Sequence, residues 1–142
     1  NRITVMKKLN IIVWVLQVIL AAFFIYSGLL KLTSHELIFG DLRPIWFEHV
    51  PSWMPVLAGS LEVLGGVGII LPAITRISPV LVPLSLFSLT LFMAVAYALQ
   101  VWTGDNTSEL ALILTFVTAE LGWLRLKVIP IAAKQVSHST SL

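Results

Sequence analysis

The chain has 142 residues, of which 58% are hydrophobic and 11% are charged, with a formal net charge of +2. A soluble domain carries roughly 25% charged residues, so this composition indicates a membrane protein. The absence of cysteine excludes disulfides, iron–sulfur clusters and thiolate metal sites, and no basic face of the kind that binds nucleic acid is present.

The first predicted element is a membrane-spanning helix over residues 9–32, preceded by a short basic segment. Its apolar run is longer than the core of a secretory signal, and no small-x-small cleavage site follows it, so we expect the helix to be retained. Small and polar residues recur along it at spacings of three and four, which places them on one helical face suited to packing: Gln17, Ala21, Phe24, Gly28 and Lys31.

Residues 33–53 are too polar to span a membrane and are interrupted by Gly40, Pro44 and Pro51. Apolar and aromatic residues, including Trp46 and Trp53, alternate with the charged ones. This pattern predicts a segment that lies at the membrane surface between the first and second helices.

The second span is predicted over residues 54–73 and contains one carboxylic acid, Glu62. Gly59, Gly65 and Gly66 lie within one helical turn of Glu62. Because small residues let a neighbouring helix approach closely, we expect Glu62 to point into a helix bundle and not into lipid.

The third span is predicted over residues 80–102, where no charged residue occurs, and the fourth over residues 110–128. The fourth contains Glu120, which an interaction with Arg125 or Lys127 on the same helix would explain. The predicted fold is therefore all-α: a single domain, residues 1–142, forming a four-helix transmembrane bundle.

The distribution of lysine and arginine predicts the orientation of the chain. With the N-terminus in the cytoplasm, seven basic residues lie inside and only Lys31 and Arg43 lie outside. This bias predicts cytoplasmic N- and C-termini, and the inner membrane of a bacterium is the expected location.

Lys31 and Glu62 are the leading candidates for a ligand-binding or proton-handling site, since an ionisable residue within a membrane is costly unless it is paired or solvated. Glu62 lies roughly 12 Å below the outer end of its helix, and Lys31 lies at the outer end of the first helix. The sequence leaves open whether Glu62 handles a proton or ligand, or forms an interhelical pair that fixes packing. Gln17 and Tyr97 are further candidates for a polar network in the bundle.

No catalytic residue and no metal site is predicted. His35 and His49 lie in the outer segment with Glu36, Asp41 and Glu48, but their spacing matches no known ligand pattern. No intrinsic cofactor is predicted, because no span contains a histidine that could ligate haem.

Several motifs together resemble the DoxX-like family of small four-helix membrane proteins. They are FFIYSGLLKL (Phe23–Leu32), Pro51-x-Trp53, GSLEVLGGVGIILP (Gly59–Pro72) and Met93-x-x-Ala96, in this order. Lys31, Glu62, Gly65 and Gly66 match positions that mark the family, and Gly28 and Gly59 belong to the same segments. The resemblance implies a four-helix fold but no agreed catalytic role. Relatives include subunits of a thiosulfate:quinone oxidoreductase and proteins tied to oxidative-stress complexes or to receptor assembly.

The sequence supports three functional hypotheses and leaves open whether the chain is an enzyme. The first is a non-catalytic accessory or assembly subunit of a larger membrane complex, with other subunits or further copies of the chain as partners. The second is a component of a quinone-linked oxidoreductase, in which a quinone enters between helices near Glu62 and Lys31. The third is a small transporter or channel, which ranks last because no internal repeat is evident.

Overall fold

The computed structural model describes residues 1–33, 49–105 and 108–134. These ranges are helical and contain no strand, which confirms the predicted all-α fold. Most of the predicted interfacial segment, residues 33–53, lies outside the described residues. Four α-helices follow one another along the chain: α1 (Arg2–Thr33), α2 (Trp53–Thr75), α3 (Leu81–Thr103) and α4 (Ser108–Trp123).

Three of the described helices, α1, α2 and α3, are long and apolar enough to cross a membrane. The α4 helix has only 16 residues, but the π-helical segment Leu124–Val128 follows it directly and extends the helical run to residue 128. At 1.5 Å per residue this run reaches roughly 30 Å, the thickness of the hydrocarbon core of a bilayer. The composition and these helices identify an integral membrane protein.

The helices pack in the order of the chain. α1 packs along α2, α3 packs along α4, and the two pairs meet mainly through α2 and α3. One end of the bundle, here called the Lys31 end, contains the C-termini of α1 and α3 and the N-termini of α2 and α4. The opposite end, here called the Arg125 end, contains the beginning of α1 and the π-helical segment.

The core is a continuous set of apolar side chains from all four helices. Large side chains on the outer surface, such as Leu64, Leu91 and Phe116, are exposed, as expected for residues that face lipid. One polar contact joins α3 and α4 within the bundle, where the hydroxyls of Thr90 and Thr118 lie 2.9 Å apart. The buried apolar core consists of Val13, Leu20, Ala21, Phe24, Ile69, Ala73, Val82, Leu86, Leu89, Met93, Ala111, Leu114 and Leu121.

The Arg125 end is closed by a turn and by the last described segment. α2 ends at Arg76, which adopts a left-handed conformation (φ 58°) and donates its backbone N–H to the carbonyl of Pro72. The Arg76 side chain donates Nε–H to the carbonyl of Ala132 at 2.9 Å. The backbone N–H of Lys134 donates to the carbonyl of Arg76 at the same distance, so the segment after α4 folds back over this turn.

Candidate functional site

The site is built on a close contact between α1 and α2. A Cβ atom placed on Gly28 would lie 2.6 Å from the carbonyl oxygen of Gly59 and 2.9 Å from the backbone nitrogen of Val63. A Cβ atom placed on Gly59 would lie 2.8 Å from the carbonyl oxygen of Gly28. Any side chain at either position would therefore push the two backbones apart.

Lys31 and Glu62 form a buried salt bridge across this contact. Lys31 Nζ lies 2.7 Å from Glu62 Oε1, and the Ser27 hydroxyl donates to Glu62 Oε2 at 3.2 Å. The side chain of Glu62 is 4% exposed and that of Lys31 is 13% exposed, so water screens the pair little. Both carboxylate oxygens of Glu62 thus accept a hydrogen bond from α1.

Glycine makes this salt bridge geometrically accessible. A Cβ atom placed on Gly59 would lie 2.9 Å from the Cβ atom of Lys31, so the beginning of the lysine side chain packs directly against the backbone of α2. Glu62 follows Gly59 by three residues and therefore lies one turn further along nearly the same face. The lysine side chain needs only to run along α2 for this one turn to reach the carboxylate.

A cavity of about 380 Å³ adjoins the salt bridge. All four helices contribute to its wall, and among the described residues its polar side chains are Ser27, Lys31, Glu62 and Gln100. The remaining lining residues are apolar, among them Phe92 and the small residue Ala96. Such a cavity, mostly apolar with a few polar groups on one wall, is typical of a site for a small ligand.

The cavity lies at the edge of the bundle. Leu57, Leu61 and Val95 line it, and each is between 44% and 55% exposed on the outer surface of the helices. Because this surface faces lipid, a molecule dissolved in the bilayer can reach the cavity laterally.

Gln100 adds a hydrogen-bond acceptor to the cavity wall. Its Oε1 atom is buried and accepts no hydrogen bond from the described residues. A buried polar atom without a partner costs about 1–3 kcal/mol. The charges of Lys31 and Glu62 cancel, so the wall as a whole favours a neutral ligand with polar groups over an ion.

The structure separates the other predicted candidates from this pair. Gln17 is fully buried, but it lies towards the Arg125 end, where its Nε2 donates to the carbonyl of Ile69 at 3.1 Å. Tyr97 is half-buried and packs against the apolar core, and it does not line the cavity. Of the four predicted packing glycines, Gly28 of α1 and Gly59 and Gly66 of α2 lie in the contact between these two helices. Gly65 instead faces Leu89 of α3.

Sequence reasoning missed three polar residues: Ser27 and Arg125, which hydrogen-bond to the candidates Glu62 and Gln17, and Gln100, which lines the same cavity as Lys31 and Glu62. Ser27 precedes Lys31 by one helical turn, a signal that the sequence offered. Gln100 lies near the end of the third predicted span, one helical turn after Tyr97. Arg125 is, with Lys127, one of the two residues that the sequence offers as a partner for Glu120, but it is only 2% exposed and donates to Gln17.

The described residues show no cluster that could bind a metal. Within residues 1–33, 49–105 and 108–134, no group of three or more histidine or acidic side chains lies together. Of the outer-segment residues considered for such a site, only His49 lies in these ranges.

Comparison with known proteins identifies a family and nothing finer. The sequence profile of the DoxX-like family matches residues 15–123, which is more than half of the chain. No curated protein matches the chain significantly, and no solved structure does.

Proposed function

This chain belongs to the DoxX-like family, and on that premise we propose that it is a membrane subunit that binds a lipid-soluble quinol or quinone beside the Lys31–Glu62 pair. The observation that carries the proposal is the cavity of about 380 Å³ with a neutral, hydrogen-bonding wall. Its mostly apolar lining suits a ring with an isoprenoid tail. Its lateral position suits a ligand that reaches the protein through the bilayer.

The polar groups of the cavity include an acceptor for the hydrogen of a quinol hydroxyl and a donor for its oxygen. Gln100 Oε1 offers an acceptor for an O–H group, and Lys31 offers a donor for a carbonyl or hydroxyl oxygen. Glu62 is the group on this wall that could exchange a proton with the ring when its oxidation state changes. Oxidation of a quinol releases two electrons and two protons, and we propose that a partner subunit accepts the electrons.

This proposal joins two of the hypotheses that the sequence supports. The chain acts as an accessory subunit of a larger membrane complex, and its contribution to that complex is the ligand site. The excess of lysine and arginine at the Arg125 end favours placing that end in the cytoplasm of a bacterium and the cavity near the outer surface of the inner membrane.

Filling the cavity tests the ligand site directly. Ala96 lines the cavity, and Ala98 is exposed on the same helix and does not line it. We expect Ala96→Phe to weaken binding of a short-tailed benzoquinol by at least about tenfold, because the ring would occupy the ligand's space. Ala98→Phe should change the affinity less than twofold. Binding is measured by equilibrium titration of the purified chain in lipid nanodiscs, and equal affinities for the two variants would contradict the proposal.

A matched pair of ligands tests the role of Gln100. In the dimethyl ether, methyl groups replace both hydroxyl hydrogens of the quinol, so the ether cannot donate a hydrogen bond. Gln100→Leu should therefore weaken binding of the quinol about fivefold and leave binding of the ether unchanged. A variant that weakens both ligands equally would show that Gln100 acts through packing alone.

The accessory role is tested in native membranes. We expect the chain, solubilised in a mild detergent, to migrate in a complex of defined stoichiometry with a redox subunit, because the proposed turnover needs an electron acceptor. Native electrophoresis followed by mass spectrometry of the band measures this. A chain that migrates as a monomer and yet binds the benzoquinol would retain the ligand site and refute the accessory role.

A further inference from the structure

A second polar cluster lies at the Arg125 end, far from the cavity of the proposed ligand site. Arg125 donates from Nε to Gln17 Oε1 and from Nη1 to Asn10 Oδ1 at 2.8 Å and to the carbonyl of Ile129 at 3.2 Å. Its guanidinium carbon lies 5.3 Å from the centre of the Trp14 ring. Gln17 in turn donates to the carbonyl of Ile69 on α2, so the cluster joins α1, α2 and the π-helical segment.

The partners of Arg125 are all neutral. The salt bridge found among the described residues joins Lys31 to Glu62 at the other end of the bundle. Two side-chain amide oxygens, one backbone carbonyl and an aromatic ring lower the cost of burying the guanidinium, but none of these described partners carries a negative charge. In addition, Arg125 Nη2 is buried and donates no hydrogen bond within the described part of the chain.

An open surface cavity of about 370 Å³ with an almost entirely apolar wall lies beside this cluster. Asn10 and Ile129, the two residues that Arg125 Nη1 contacts, form part of its wall. Arg2 and Lys7 line it from the beginning of α1, together with the apolar side chains of Ile3 and Met6. Arg125 itself does not line this cavity; the exposed side chains of Arg2 and Lys7 border an apolar wall, and Asn10 and Ile129 connect that wall to the buried guanidinium.

We propose that this cavity holds one acyl chain of an anionic membrane lipid along Ile3 and Met6, with the phosphate headgroup at its edge beside Arg2 and Lys7. The position of the cavity at the end of the helices is the level of lipid headgroups, where basic pockets between transmembrane helices bind such lipids. The lipid phosphate supplies the negative charge that Arg125 lacks among its protein partners. The inference does not depend on the quinol site at the other end of the bundle.

The test compares two lipids that differ in headgroup charge. The full chain is delipidated in detergent and titrated with phosphatidylglycerol or with phosphatidylcholine of the same acyl chains, and bound lipid is counted by native mass spectrometry. We expect phosphatidylglycerol to bind at least tenfold more tightly. Equal affinities would overturn the proposal.

Matched variants localise the effect to the cavity. Lys7 lines it, whereas the neighbouring Lys8 is equally exposed and does not. Lys7→Gln should weaken the binding of phosphatidylglycerol about fivefold, which is the effect of one basic residue near the membrane surface. Lys8→Gln should weaken it less than twofold. Equal losses for the two variants would show attraction by surface charge in general and would overturn the proposal.

Two further measurements separate a lipid from other anions and assign the role of Arg125. Glycerol 3-phosphate, at millimolar concentration, should not displace phosphatidylglycerol. If it did, the cavity would be a site for a soluble phosphate, and the proposal of a lipid ligand would be overturned. Arg125→Gln should remove the preference for the anionic lipid in protein whose thermal unfolding remains cooperative. If this variant does not fold, the comparison of Lys7→Gln with Lys8→Gln decides the question by itself.

Discussion

Lys31→Met is expected to lower the free energy of unfolding by about 3 kcal/mol, because it leaves the Glu62 carboxylate buried without its counter-charge. Glu62 lies nine residues inside α2 and is 3% exposed, so its short side chain cannot reach the membrane surface. The hydrogen bond from Ser27 remains, but it does not supply a charge. Unfolding in mixed micelles of increasing denaturing detergent measures the loss.

Removing the other partner of the salt bridge, by Glu62→Gln, is expected to lower the free energy of unfolding less. In Glu62→Gln the cation that remains belongs to a long side chain two residues from the end of α1, and such a lysine can extend to the headgroup region. We expect a loss of about 1 kcal/mol. The double variant Lys31→Met/Glu62→Gln should be more stable than Lys31→Met alone, since neither charge remains buried. Additive losses in the double variant would show that the salt bridge contributes nothing to stability.

Gly28→Ala is expected to destabilise the protein by about 2 kcal/mol and to weaken the Lys31–Glu62 contact. The new methyl group would lie 2.6 Å from the carbonyl oxygen of Gly59 and 2.9 Å from the backbone nitrogen of Val63. Backbone atoms within a helix cannot move aside individually, so α1 and α2 must separate as whole helices. The same unfolding assay, applied with and without Lys31→Met, measures both the loss and its coupling to the salt bridge.

Gly65→Ala is the matched control for this substitution. Gly65 lies on the same helix, but the atoms that its Cβ would meet are all in the side chain of Leu89, the nearest at 2.6 Å. A leucine side chain can change its rotamer, and alanine favours a helix over glycine by about 1 kcal/mol, so we expect a change within about 1 kcal/mol. If Gly65→Ala proved as damaging as Gly28→Ala, the contact of backbones would not be the reason for the glycine.

Much of the fold follows from the sequence because a bilayer restricts the chain so strongly. The predicted spans at residues 9–32 and 54–73 lie within α1 and α2, and the span 80–102 begins one residue before α3. The fourth, 110–128, ends where the π-helical segment ends. A run of about 20 apolar residues must satisfy its backbone hydrogen bonds internally, and a helix is the local structure that does so. The π-helical character of Leu124–Val128 was not predicted, since it depends on how the chain turns after Pro130.

The sequence predicted the residues of the candidate site but not the contact between them. Glycines within one turn of Glu62 indicated a packed face, and Lys31 was the basic residue nearest to it along the predicted topology. The sequence did not show whether the two side chains meet, because the gap between them depends on how closely α1 approaches α2. The close approach at Gly28 and Gly59 closes that gap to 2.7 Å.

By itself, the sequence determined the number of helices, their approximate ends and the family, since periodicity, apolar length and short motifs are local properties of the chain. The tertiary structure decided which polar side chains are partners. It joined Lys31 to Glu62, turned Arg125 away from Glu120 and towards Gln17, and placed Gln100 on the wall of a cavity. The physical reason is that each of these contacts depends on the rotation of one helix relative to another. That rotation is set by the packing of whole helix faces, which no single stretch of sequence encodes.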